Sequence, residues 1–270
     1  SLPREGAKTP KKLALRPVIA LSIMFFAFIS ALSAEHLMTF ALLFIVGLVG
    51  AFLFFRFNRK ESLIDLGILQ NHRFVALIFS LLVYQALLLG LSFVLPSFIQ
   101  VSAGFSSSVA GLFMFPGALI GAVLAPISGK VLDQIGARKP ITTGLILAAL
   151  GLALLFVFLP TKSLALLLVA HIVLMLGLGI SYSNLMTCSL STLATDQLSD
   201  GNALVNTLQQ FIGAVATAVV ATTLSIFQGL NGFKVGTSHG TSIILALFFI
   251  LIIVSLIVSF PNLKKIRANH

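Results

Sequence analysis

Along this chain the charged residues stand in short clusters, and the intervals between them are long and apolar. A helix needs about 20 mostly apolar residues to cross a bilayer, so those intervals act as a ruler. Residues 17–34, between Arg16 and Glu35, hold one span, and residues 36–55, between Glu35 and Arg56, hold a second. Residues 74–129, between Arg73 and Lys130, carry no charge over about twice the length one helix requires. The small, polar run Gln100 to Ser108 divides them into spans three and four. Span five lies between Lys139 and Lys162, and span six between Lys162 and Asp196. Span seven runs from about Ala203 to Phe227 and span eight from about Thr241 to Phe260. The glycine-rich stretch Gly229 to Gly240 between them predicts a loop. The pattern therefore predicts an all-α integral membrane protein of eight transmembrane helices.

Composition agrees with that pattern. Only 9% of the 270 residues are charged, 58% are hydrophobic, and the mean hydropathy is +1.11, whereas roughly a quarter of an ordinary soluble chain is charged. The formal charge of +10 would suggest nucleic acid in a soluble protein. Here its placement reads as topology instead. An even number of spans puts Arg4, Lys8, Lys11, Lys12, Arg16, Arg56, Arg59, Lys60, Arg73, Lys130, Arg138, Lys139, Lys264, Lys265 and Arg267 on one side, and only Lys162 and Lys234 on the other. Lys and Arg mark the cytoplasmic side, so both termini are expected in the cytoplasm of a cell membrane. The expected organisation is a basic cytoplasmic linker at residues 1–16, a two-span hairpin at 17–55, an amphipathic cytoplasmic loop at 56–73, a six-helix bundle at 74–260 and a cytoplasmic tail at 261–270. Residues 1–34 also have the outline of a secretory signal, but their apolar run exceeds the roughly 7–15 residues of a signal core and a second span follows at once.

Catalytic chemistry is not legible in these residues. The single cysteine, Cys188, rules out an intramolecular disulfide framework and a cysteine-cluster metal site. None of the seven acids stands mid-span, and no metalloprotease, phosphate-loop or nucleophile motif is present. An enzyme is not expected, nor is a cofactor or a metal. The informative polar residues are uncharged. Spans five and eight carry only Ser and Thr, whereas span three has Ser80, Tyr84 and Gln85, span six Gly177, Ser181, Asn184 and Cys188, and span seven Asn202, Asn206, Gln209 or Gln210, Gly213 and Thr217. Polar groups at bilayer depth are costly unless partnered or wet. Three such stripes beside two spans without any favour a cavity over isolated hydrogen bonds between helices, the competing reading. Tyr84, Gln85, Asn184, Asn206, Gln209 and Gln210 are the candidate substrate-binding residues. His171, without an acidic neighbour in its span, is expected to be a packed neutral side chain, and Gly117 and Gly121 on span four form a small-xxx-small step for helix packing.

The loop between spans four and five reads Gly129-Lys-Val-Leu-Asp133-Gln-Ile-Gly136-Ala-Arg138-Lys139. Its local sense is that Gly129 lets helix ends approach, Gly136 turns the chain, and Asp133 is held by charge near Arg138. The spacing G-x-x-x-D-x-x-G-x-[RK]-[RK] between two spans resembles the loop motif of the major facilitator superfamily. The stretches from Gln100 to Asp133 and from Asp200 to Val219 look like the second half of that superfamily's bacterial fourteen-span drug:proton antiporter branch, a likeness covering nearly the whole chain. It implies a linking hairpin, then a major-facilitator-like C-terminal six-helix bundle that rocks against an absent N-terminal six-helix bundle. Efflux of a small lipophilic substrate across the lipid bilayer, coupled to protons, would follow, with no nucleic acid involved. A nutrient carrier of the same superfamily and a non-transporting membrane subunit are the alternatives. Two departures stand out: Gln134 occupies the place where the motif usually has Arg, and spans three to eight hold no mid-membrane acid.

Overall fold

A computed structural model describes residues 14–34, 36–61 and 63–263, Glu61 by its backbone only. Most of the predicted N-terminal linker, Glu35, and Lys264, Lys265 and Arg267 of the tail lie outside these residues. Eight helices follow in order: α1 (Leu15–Leu32), α2 (Leu37–Glu61), α3 (His72–Ser97), α4 (Ser107–Ile135), α5 (Arg138–Phe158), α6 (Leu164–Leu190), α7 (Leu198–Asn231) and α8 (Phe233–Asn262). Each is long and apolar enough to cross a membrane, and no strand occurs among the described residues.

Several helices run past the limits of the charge ruler: α4 continues through Lys130 and Asp133 to Ile135, and α7 begins at Leu198, ahead of Asp200. Helix α2 continues through Arg56, Arg59 and Lys60, because basic residues in a last turn complement the helix dipole and do not end the helix. The glycine-rich stretch after Phe227 is not a loop. Helices α7 and α8 are separated by Gly232 alone, whose φ of 76° reverses the chain in one residue. Gly236 then lies against the backbone of Phe227 and Gln228, where no side chain would fit. The other predicted break is real: a π-helical turn at Phe98–Ser102 ends α3, and Ser106 caps α4 by accepting from the Val109 N–H at 3.4 Å.

The chain divides into two compact units, Ser1–Asp65 and Leu66–His270. In the first, α1 and α2 form a close-packed hairpin. Gly50 sits on the backbone of Met24 and Gly47 under the Phe28 ring, while Phe44 packs edge-on to Phe28 at 5.5 Å and stacks with Phe40 at 5.7 Å. Buried Asn58 then ties down the chain beyond α2, accepting from the N–H groups of Leu63 and Ile64 and donating to the Ile64 carbonyl at 2.9 Å.

In the second unit α3 and α6 are central. Helix α3 packs on α7 and α8, α6 packs on α4 and α5, the two central helices touch, and α5 closes against α8. Read as triplets, α3–α5 and α6–α8, each central helix takes its main neighbours from the other triplet. Small residues set the close approaches. Gly144 of α5 faces Ser181 and the Gly177 carbonyl of α6, Gly151 faces the Leu174 backbone, and Gly90 of α3 faces Phe248 of α8. Buried Ser80 joins α3 to α8 through Ser259 Oγ at 2.5 Å and the Ser255 carbonyl at 3.2 Å. Helix α4 uses only half of its predicted small-residue step. Gly117 lies under His171 and Met175, while Gly121 faces open space. His171 is buried and stacked on Phe113, ring centroids 5.4 Å apart.

Candidate functional site

Helix α3 enters the site with two consecutive polar residues. Tyr84 is fully buried, and its Oη lies 2.7 Å from Ser181 Oγ of α6, which is also 2.7 Å from the Gly177 carbonyl. One hydroxyl proton from each side chain serves those two contacts. Gln85 points about 100° further round α3, where its Oε1 accepts from the Tyr182 hydroxyl of α6 at 2.7 Å. The same hydroxyl oxygen accepts from Gln209 Nε2 of α7 at 2.6 Å. A continuous bridge, Gln85 to Tyr182 to Gln209, thus ties α3, α6 and α7 at bilayer depth. The two tyrosine rings lie 6.5 Å apart and tilted by 53°. Gly213, one turn beyond Gln209, keeps α7 close: a Cβ there would press on Leu89 and stand 3.5 Å from Gln85 Nε2.

Three of the six candidate residues, Tyr84, Gln85 and Gln209, are therefore brought together. Asn184 is buried on α6 but donates to the carbonyl of its own Ile180 at 2.9 Å. Asn206 and Gln210 lie on the exposed face of α7, where Asn206 donates to the carbonyl and side-chain oxygens of Asn202 at 2.9 and 3.1 Å. Consecutive residues on a helix diverge by about 100°, so Gln209 and Gln210 face different surroundings. Sequence reasoning missed Tyr182, which holds the bridge. The signal was available: the chain has 24 Phe but only two Tyr, so a tyrosine in a span marks a place where a hydroxyl is wanted.

Two cavities flank this arrangement. One, of about 240 Å³, lies between α3, α4 and α6 and is walled by Leu88, the small residues Gly117, Gly121 and Ala125, and Tyr182 and Ser183. The other, of about 290 Å³, lies between α3, α7 and α8 and has only apolar side chains in its wall, Phe79 and Phe248 among them.

The loop motif lies where α4 gives way to α5. Gly136 has φ 77° and makes the turn, whereas a Cβ on Gly129 would meet open space, so no close approach depends on it among the described residues. Asp133, Arg138 and Lys139 are exposed. No ion pair joins Asp133 to Arg138; the Arg138 guanidinium instead sits 4.4 Å above the Phe260 ring of α8. The expected charge contact is replaced because Arg138, in the first turn of α5, faces the end of α8 rather than the last turn of α4. Among the described residues no three His, Cys, Asp or Glu side chains are grouped as a metal would require.

Comparison with known proteins agrees with this architecture. The chain is 29% identical over 180 residues to the lincomycin resistance protein LmrB of Listeria innocua, covering 67% of this chain and 38% of that protein. It is 30% identical over 185 residues to a multidrug resistance protein B homolog of Mycobacterium tuberculosis, covering 67% and 34%. It is 24% identical over 190 residues to the multidrug efflux pump LfrA of Mycolicibacterium smegmatis, covering 70% and 38%. These alignments span between a third and two fifths of each relative's length. The family model described as Major Facilitator Superfamily matches residues 18–218, and this match over most of the chain, in a protein with eight membrane-length helices among its described residues, establishes that the chain belongs to that superfamily.

Proposed function

We propose that the chain is the C-terminal part of an efflux transporter for small lipophilic compounds, working by alternating access. The observation that carries the reading is the Gln85–Tyr182–Gln209 bridge, a buried set of uncharged polar groups beside a cavity lined with small residues. Amides and a phenol amid Leu and Phe suit ligands held mainly by apolar and aromatic contact, with few fixed hydrogen bonds. The names of the relatives, a lincomycin resistance protein and multidrug efflux proteins, support the same substrate class.

In this reading α3–α8 form one of two bundles, α1 and α2 link it to an N-terminal six-helix bundle, both termini are cytoplasmic, and the substrate lies near the midplane between the bundles. Protons drive export. Asp133 and Asp200 stand at helix ends, so the coupling acid is assigned to the partner bundle. Tyr84, Gln85 and Gln209 shape this bundle's wall of the path. Asn206 and Gln210, on the exposed face of α7, meet the path from the side of the partner bundle.

The test uses the full in-frame gene in bacteria lacking their own efflux systems, with accumulation of a lipophilic dye as readout. Expression should lower accumulation, dissipating the proton gradient should restore it, and Gln85→Ala should weaken export while leaving the protein in the membrane. Unchanged accumulation with the protein present in the membrane would refute the efflux reading.

A further inference from the structure

The α1–α2 hairpin carries an arrangement that transport does not use. Gly50 packs on Met24, and eight residues further along each antiparallel helix Arg16 comes level with Asn58. The start of α1 and the end of α2 are therefore at the same end of the hairpin. On α2, Leu48, Phe52, Phe55 and Arg59 recur at helical spacing, and all four are exposed. They form one stripe about 16 Å long, apolar for three positions and cationic at the last. Arg56 and Lys60, three residues before Arg59 and one after it, are exposed as well and widen the cationic end.

The sequence adds Arg4, Lys8, Lys11 and Lys12 just ahead of α1. Among the described side chains, Arg16, Arg56, Arg59 and Lys60 stand at this end of the hairpin. Positive charge on the cytoplasmic side is enough for topology. Topology has no need of an exposed phenylalanine ladder that runs straight into the charge.

We propose that this stripe is a binding site for an anionic phospholipid, its acyl chain along Leu48, Phe52 and Phe55 and its phosphate at Arg56, Arg59 and Lys60. The occupant has to be an amphiphile, because the cationic end sits on an open helix face with no concave cradle for a free anion, while the apolar rungs below it match an acyl chain in length and direction. Each basic group near an anionic headgroup layer favours it by about fivefold. Salt screens such contacts over about 10 Å, so the preference is salt-sensitive.

The chain contains no tryptophan, so Phe55→Trp supplies a single fluorophore on the stripe. The 270-residue chain carrying F55W is reconstituted in phosphatidylcholine vesicles containing a fixed fraction of lipid brominated on its acyl chain, either phosphatidylglycerol or phosphatidylcholine. Stronger quenching by the brominated phosphatidylglycerol is expected. The difference should collapse in 1 M salt and in the added triple variant R56Q/R59Q/K60Q, and persist with R56K/R59K. The salt series needs no further substitution and covers a triple variant that does not insert. Equal quenching by the two lipids would overturn the proposal, as would a preference that survives both high salt and the triple variant. Abolition by millimolar inorganic phosphate at constant ionic strength would overturn it too, by marking a free-anion site.

Discussion

The strongest prediction concerns Tyr182→Phe. The substitution keeps the ring, and with it the packing against Tyr84, but deletes the oxygen that donates to Gln85 at 2.7 Å and accepts from Gln209 at 2.6 Å. Hydrogen bonds between membrane helices contribute about 0.6 kcal/mol on average and up to about 1.7, so losing two is expected to cost about 1–3 kcal/mol. The upper part of that range applies if Gln209, only 9% exposed, cannot turn to another partner or to water. Tyr84→Phe is the matched control. It also removes one buried phenolic oxygen, but Ser181 keeps the Gly177 carbonyl, so about 0.5–1 kcal/mol is expected. Unfolding of the reconstituted chain, followed by denaturant titration, should therefore rank Tyr182→Phe as clearly more damaging than Tyr84→Phe. A cycle with Gln209→Ala adds a second check, because the double variant should cost less than the sum when both changes remove the same bond. Equal costs for the two tyrosines, or full additivity in the cycle, would refute the bridge as the tie between α3, α6 and α7.

Gly144→Leu should prevent α5 from closing on α6 and lower stability by about 1–3 kcal/mol, whereas Gly121→Ala, which faces open space, should leave stability unchanged yet reduce export by narrowing the smaller cavity; thermal melts and dye accumulation read the two effects separately. Arg138→Gln should cost about 0.5–1 kcal/mol through loss of its contact with Phe260, while Asp133→Asn should leave stability untouched, and unfolding of each variant checks the contrast. Cysteine introduced at exposed Asn206 should react with a water-soluble thiol reagent in the full-length protein and be protected by substrate, whereas cysteine at buried Asn184 should react only in a state that opens α6. Failure of Asn206→Cys to react in any state would return that amide to a local role on its own helix.

Which stretches form membrane-length helices was legible in the sequence, and rotation about each helix axis was not. Charge spacing located all eight helices because ionic groups are confined to helix ends by the cost of burying them. Hydropathy carries no azimuth, so the amides of α7 read as one stripe although Gln209 turns inward and Asn206 and Gln210 outward. The glycines after Phe227 were misread for a related reason. Composition does not tell a flexible loop from two helices meeting at one sharp turn, and that choice depends on whether another backbone lies close enough to exclude side chains, as Phe227 does at Gly236. Tyr182 escaped notice because it falls beside the Gly177, Ser181 and Asn184 row and not on it, and only the position of α7 reveals what its hydroxyl reaches.

The crossed packing of the two triplets has a consequence for how the bundle is made. Helix α3 finds its main neighbours in α7 and α8, which end at Asn262. At about 5–20 residues per second of synthesis, the roughly 190 residues from His72 to Asn262 take on the order of 10–40 seconds. Through that interval Ser80 and Gly90 of α3 are without the α8 residues that later cover them, and the Ser80 hydroxyl must be shielded by lipid headgroups, by the insertion machinery or by helices already in place. No subset of α3, α4 and α5 is a stable intermediate in this picture, since α3 meets α4 only slightly and α5 is held by α6 and α8. Ribosomes stalled before α7 should leave a nascent chain that proteases and lipid-phase crosslinkers reach along α3, and release past Asn262 should close that access in one cooperative step.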